Sequence, residues 1–219
     1  MKLLLATTSR GKLREQRKSL ENVSLELEII TLSELPELEP PEEPGPAFRD
    51  NAVAKALYYH RATELATIGE DSGLVIDFLD GEPGVHSARW LGHDTTYDVK
   101  NARVLELLSE ASEAERTARY VSAVALVENQ SVVFVSEATC EGRIATEPSG
   151  DSGFGYDPIF YYPPFGATMA ALTAEQKNGV SHRGKAMASL IKFLVSRSSP
   201  LPRGLRHRSG VNHATRDSQ

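Results

Sequence analysis

The sequence predicts an α/β protein. Two observations carry that prediction. Short apolar runs alternate with segments of helical spacing through residues 1–108, and a Val- and Tyr-rich stretch at 117–144 is broken in its middle by Asn129-Gln130, the pattern of a long hairpin.

The elements follow in order. KLLLA (2–6) is an apolar run that stops at TTSRGK, so it reads as a buried strand entering a polar loop. Residues 12–20 mix polar and apolar helix formers and predict a helix, and LELEII (25–30) predicts a strand. TLSELPELEPPEEPGP cannot be regular throughout, because proline removes a donor and fixes φ. Phe48, Ala52, Ala56 and Tyr59 recur at helical spacing and predict a helix over about 48–65, with Asn51 and Lys55 on a neighbouring face. LATIGEDSGLVIDFL (65–79) reads as two strand-like segments interrupted at Glu70 and Asp71. GEPGVHSARW (81–90) reads as a turn and an extended piece, and 95–108 suit a helix. PSGDSGFGYDPIFYYPPFG (148–166) is loop-like, with one short strand near 158–161. Ser181 is a suitable N-cap for a helix over 181–194. Beyond about Ser196 the chain is Arg-rich and lacks periodicity. The expected division is therefore a folded domain of residues 1–196 and a flexible basic tail of 197–219.

Composition narrows the function. The chain has 219 residues, 40% hydrophobic and 25% charged, as expected of a soluble globular protein. Its net charge of −6 argues against bulk electrostatic binding of nucleic acid. A small polyanion would need a local basic pocket, a divalent cation, or both. A single cysteine, Cys140, forbids an internal disulfide and fits a reducing compartment. The N-terminal apolar stretch is too short for a signal peptide, and no segment approaches the ~20 apolar residues that span a bilayer. The expectation is a cytoplasmic protein with no membrane partner.

Four polar clusters lie in loops or at helix starts, where sites are usually built. TTSRGK (7–12) offers free backbone N–H groups, a following helix N-terminus and the charge of Lys12, a phosphate grip or an ordinary strand-to-helix turn. Glu42 and Glu43, with Glu70 and Asp71, offer carboxylates for a cation such as Mg²⁺, which needs only one or two; they also read as a solvated charge run. In GDSGFGYDP (150–158), glycines flank Phe154 and Tyr156, which could stack on a base or pack in the core. In KNGVSHRGK (177–185), His182 and Arg183 fall in the first turn of a helix, where cations oppose the dipole unless a ligand compensates.

Taken together, TTSRGK, FRDNAVAKA, GEDSGLVID, PGVHSAR, GFGYDPIF and KNGVSHRGKA resemble the signature stretches of the inosine triphosphate pyrophosphatase family, from about Lys2 to Leu194. The resemblance implies an elongated two-lobed fold around a long mixed sheet with flanking helices, the active cleft lying between the lobes. It implies a homodimer that uses Mg²⁺ to hydrolyse non-standard purine nucleoside triphosphates (ITP, dITP, XTP) to the monophosphate and pyrophosphate. By matching position, Thr7, Thr8, Ser9, Arg10, Gly11 and Lys12 would grip the triphosphate. Asp71 would be the catalytic, proton-accepting carboxylate and, with Glu43, hold the metal. Ser72 would touch substrate, and Lys55 and Lys177 would stabilise phosphate charge. Phe154, Gly155, Tyr156 and Asp157 would line the nucleoside pocket, and Lys177, His182 and Arg183 would complete the phosphate and base contacts. Ser9 departs from the family's usual Asn, and Arg10 could compensate. The same residues would also suit a hydrolase of modified pyrimidine triphosphates or polyphosphate, or a nucleotide-binding protein without turnover.

Overall fold

The computed structural model describes residues 1–21, 23–42 and 45–198. Glu43 and the predicted tail from residue 199 onward lie outside the described residues. Seven strands form one open mixed sheet in the order β2-β1-β3-β4-β5-β6-β7. β1 (Lys2–Ala6) runs parallel to both β2 (Glu28–Thr31) and β3 (Ala66–Ile76). From β3 onward every pairing is antiparallel: β4 (Thr117–Glu128), β5 (Ser131–Ile144), β6 (Phe160–Tyr162) and the two-residue β7 (Ala167–Thr168).

The long strands β3, β4 and β5 serve three hydrophobic clusters, two on the two faces of one end and one at the other end. At one end the sheet is covered on both faces. α2 (Phe48–Thr63) lays Phe48, Ala52 and Ala56 on Val121, Ala123 and Ala125. On the opposite face, α5 (His182–Ser198) packs Ala186, Met187, Leu190 and Leu194 against Leu3, Leu5, Ile68 and Val124. α1 (Arg10–Leu20) adds Leu20 to that second layer. At the other end, Leu74, Ile76 and Tyr120 join Val104 of α3 (Tyr97–Leu107), Leu108 at its C-cap and the loop residues Tyr156 and Ile159. The α/β expectation and the two-lobed arrangement both hold.

The helical face 48–59 and the hairpin at Asn129-Gln130 form as expected; both turn residues have positive φ, which matches the strand twist. Three expectations need correction. Residues 65–79 are not two segments: β3 runs unbroken through Glu70 and Asp71. Alternation along the strand sends adjacent side chains to opposite faces, so the two acids find different partners and neither interrupts pairing. Residues 84–86 form a 3₁₀ turn where an extended piece was expected. β2 begins at Glu28, three residues later than predicted. A short helix, α4 (Ala174–Val180), was not anticipated, although Thr173 and Gln176 form a capping box readable in the sequence. α5 extends to Ser198, into the first residues of the predicted tail. No helix among the described residues is long and apolar enough to cross a membrane.

Candidate active site

The cleft lies where the two lobes meet, along the middle of β3. Its two ends share Lys12, Ser72, Ala88, Tyr97 and Phe154 as common walls. One end adds Thr7, Thr8, Ser9, Lys55 and Asp71, and encloses about 770 Å³. The other adds Ser87, Tyr120, Gly155, Tyr156, Asp157, Lys177, His182 and Arg183 and is the tighter of the two.

At the first end, β1 delivers the chain to a turn in which Thr7 Oγ1 accepts from Ser9 N (3.2 Å) and Ser9 Oγ accepts from Lys12 N (3.4 Å). Ser9 thus acts as the N-cap of α1. Lys12 follows in the first turn, and among the described residues its ammonium has no hydrogen-bonded or ion-paired protein partner. Burial lowers its pKa; the charges of Lys55 and Arg183 add to that, while those of Glu70 and Asp71 oppose it. An ammonium with no protein acceptor among the described residues keeps its donors for an anionic ligand. Arg10 is different: it is exposed and lines an adjoining groove with Leu32, Pro36 and Leu38 and not the cleft itself. Gly11 is required by Phe154: a Cβ at position 11 would fall 2.5 Å from the phenyl ring.

The adjacent acids divide their labour by strand alternation. Asp71 faces α2, where its carboxylate accepts from Asn51 Nδ2 (2.9 Å) and from the Ser72 N–H (2.9 Å). Gly69 lets α2 approach that closely, since a Cβ there would meet the Ala52 carbonyl at 2.3 Å. Glu70 faces the other layer and is 1% exposed. It accepts from Arg183 Nε (2.7 Å), Ser122 Oγ (3.1 Å) and Gln16. Burial would raise its pKa, but the charges of Arg183 and Lys12 and the Gln16 contact outweigh it and bring the carboxyl down to about 2. Glu70 is therefore a fixed counter-ion whose oxygens are occupied. Lys55 Nζ donates to the Glu70 backbone carbonyl (3.1 Å), which holds it beside Asp71.

At the second end, Arg183 donates to Glu70, to Glu15 and through Nη2 to Ser72 Oγ (2.9 Å). Lys177 pairs with Glu15 (2.7 Å) and Asp157 (2.5 Å), so it belongs to this end and not to the end that holds Lys55 and Asp71. Burial raises the pKa of Asp157, and Lys177 opposes that rise. Asp157 also accepts from the Phe154 N–H (2.7 Å), which fixes the Phe154 loop. The Phe154 ring carries Lys177 Nζ at 4.8 Å and Arg183 Cζ at 5.5 Å from its centroid. His182 stacks on Tyr120, with centroids 4.6 Å apart and planes 19° apart. Its pKa is held well below 6.5, first by burial and then by the charges of Arg183, Lys177 and Lys12, so the imidazole is neutral at pH 7. Its Nδ1 is buried without a partner, the one such side-chain atom among the described cleft-lining residues.

Several residues that shape the site were not foreseen. Glu15 and Gln16 sit three and four residues after Lys12, on the same helical face, a spacing the sequence did expose. Tyr120 and Ser122 come from β4 opposite Leu74 and Ser72, a register with no local signal. For a metal, Asp71 is the described carboxylate at the end that holds Thr7, Ser9 and Lys55. Among the described residues no group of three or more His, Cys, Asp or Glu side chains could hold an ion, so water and ligand oxygens would complete the shell. That donor set, hard oxygens with few protein ligands, fits Mg²⁺.

A mixed sheet whose central strand brings a carboxylate to a cleft with lysines at one end and aromatic rings at the other defines a class: α/β proteins with a cation-lined cleft suited to an organic polyanion. Residues 3–193 match the family model described as Ham1 family, and the chain belongs to the Ham1 family. It is 40% identical over 194 residues to a protein of Desulforamulus reducens named dITP/XTP pyrophosphatase, covering 89% of this chain and 96% of that one. It is 42% identical over 189 residues to a protein of the same name from Geobacillus kaustophilus, covering 86% and 91%. Among solved structures, a HAM1 protein from Coxiella burnetii superposes with a TM-score of 0.79 at 37% identity, covering 90% of this chain and 99% of that one.

Proposed function

We propose that this chain is a pyrophosphatase of non-standard purine nucleoside triphosphates, converting ITP, dITP and XTP to the monophosphate and pyrophosphate. Family membership and the shared name of its relatives support the reaction class. The observation that carries the reading is Lys12, a half-buried ammonium without a protein partner among the described residues, at the junction of a carboxylate-bearing end and an aromatic end.

In this reading the triphosphate lies across Thr7, Thr8, Ser9 and Gly11, with Lys12 and Lys55 stabilising charge on its oxygens. Water adds to the α-phosphorus, the bond from that phosphorus to the bridging oxygen breaks, and pyrophosphate leaves with that oxygen. Asp71, oriented by Asn51, accepts the proton of the attacking water. Mg²⁺, held by Asp71 and Glu43, would neutralise triphosphate charge. Ser72, held by Arg183, contacts the substrate beside Asp71. Phe154, Gly155, Tyr156 and Asp157 enclose the base. His182 offers it the unpartnered Nδ1, which suits a 6-oxo purine when protonated there. Arg183 has three of its five N–H groups bound by protein, so its main role is to hold Ser72 and Glu70. The catalytic unit is residues 1–196, acting in the cytoplasm as a homodimer.

The test is a panel of ITP, XTP, GTP, ATP and a modified pyrimidine triphosphate with pyrophosphate detection. ITP and XTP turn over in Mg²⁺, stop in excess EDTA and recover on adding Mg²⁺. Asp71→Asn lowers kcat by at least about 10³-fold while the fold persists; turnover surviving that change would remove Asp71 from the chemistry.

A further inference from the structure

The helix α3 holds two consecutive polar side chains for which catalysis has no direct use. Lys100 is 1% exposed and is one of the largest fully buried side chains. Its Nζ donates to the Ala88 carbonyl at 2.6 Å and lies 4.9 Å from the Tyr97 ring centroid. Among the described residues no carboxylate pairs with it, and burial lowers its pKa. An ammonium buried this way is costly compared with a methionine or leucine of similar volume. Its one hydrogen-bond acceptor, Ala88, is a wall of both ends of the cleft.

Next to it, Asn101 is buried, and its Nδ2 donates to the Gly155 carbonyl at 3.2 Å. Gly155 has φ +71° and forms the opposite stretch of the wall. The two stretches also meet directly, because the Tyr156 hydroxyl donates to the Ser87 carbonyl at 3.1 Å. Tyr97, one turn before Lys100, sets its ring edge-on to Tyr156 at 5.3 Å and 88°. The 84–88 turn and the 154–157 loop are separated widely in sequence, yet both hang from one turn of one helix.

We propose that Lys100 and Asn101 are positioning residues that fix the spacing between the 84–88 and 154–157 walls, and with it the discrimination between bases. The inference rests on the function proposed above and names what sets its selectivity. Of the two carbonyls they hold, Gly155 lines only the base end and Ala88 lines both, while loop 7–12, Lys55 and Asp71 are held by other contacts, so their loss acts chiefly on base recognition and leaves the chemical step largely intact.

The experiment measures kcat and KM for ITP, XTP, GTP and ATP on wild type, Lys100→Met and Asn101→Asp, together with Tm and inhibition by inorganic tripolyphosphate, which probes only the end that holds Lys55 and Asp71. In Lys100→Met, KM for ITP and XTP rises about tenfold, kcat changes less than about twofold, and the preference for ITP over ATP falls about tenfold. The tripolyphosphate inhibition constant stays at the wild-type value. Asn101→Asp, which cannot donate to Gly155, shifts KM the same way by a smaller factor, and it decides the matter if Lys100→Met does not fold. An unchanged KM and preference overturns the inference, and so does an equal weakening of tripolyphosphate, since that signals general loosening. A wild type that cleaves none of the four nucleotides overturns the proposed function itself and the inference with it.

Discussion

Replacing Glu70 by Gln tests the idea that one of the two adjacent acids is a structural counter-ion. The side chain is 1% exposed and holds the equally buried Arg183 through Nε at 2.7 Å. Its carboxyl titrates at about 2 against an ordinary 4.5, which at about 1.36 kcal/mol per pKa unit is roughly 3 kcal/mol of stability carried by the ionised form. Removing one partner of a buried ion pair costs about 3–5 kcal/mol, which agrees with that figure at its lower end. Arg183 keeps Glu15 and Ser72 in the variant, which favours the lower figure. For a chain of this size about 3 kcal/mol lowers Tm by roughly 6–12 °C, read by circular dichroism at pH 7. The pH dependence gives a second reading. Because the folded-state pKa is depressed, the contribution is complete above about pH 4.5 and is lost as the pH falls toward 2. Urea unfolding between pH 5 and 2 shows wild type losing about 3 kcal/mol more than Glu70→Gln. A Tm shift under about 2 °C together with parallel acid profiles would refute the counter-ion assignment.

Gly11→Ala places a methyl 2.5 Å from the Phe154 ring and displaces it from the wall common to both ends. KM for ITP rises about tenfold, while Tm moves by only a few degrees because Ala is the better helix former. Steady-state kinetics beside a melting curve separate the two effects. His182 is neutral at pH 7, so kcat/KM for ITP shows no inflection between pH 6 and 8 that His182→Gln abolishes. Such an inflection would mean the imidazole is not shielded as its burial implies.

Much of the scaffold was legible because its signals are local. The Phe48–Tyr59 face, the Asn129-Gln130 turn and the Ser181 cap each need only a few neighbouring residues to be read, and each formed where expected. Ser181 Oγ, for instance, accepts from Gly184 N at 3.1 Å. β3 was misread because a central strand covered on both faces buries both parities, so a pair of acids inside it looks like a break. Their partners, Arg183 and Asn51, come from distant elements on opposite faces, and no local pattern announces them. The same limit explains the site. The loop 7–12, Lys55, Ser72 and the 154–157 segment could be assigned to one cleft through the resemblance, and the fold does gather them, Arg10 apart. That Lys177 sits among Glu15 and Asp157, at the aromatic end, depends on how α1 and α4 pack and could not be read from spacing.

The β3–β4 ladder is continuous from Thr67–Val127 to Ile76–Ala118, and so it passes through the cleft floor without a joint. A jaw-like swing of one half against the other would shear that ladder, breaking backbone bonds that cooperate along its length. Adjustment to cargo therefore belongs to the lips, the segments carrying Phe154 and Ala88, while the floor beneath them works as a stiff beam.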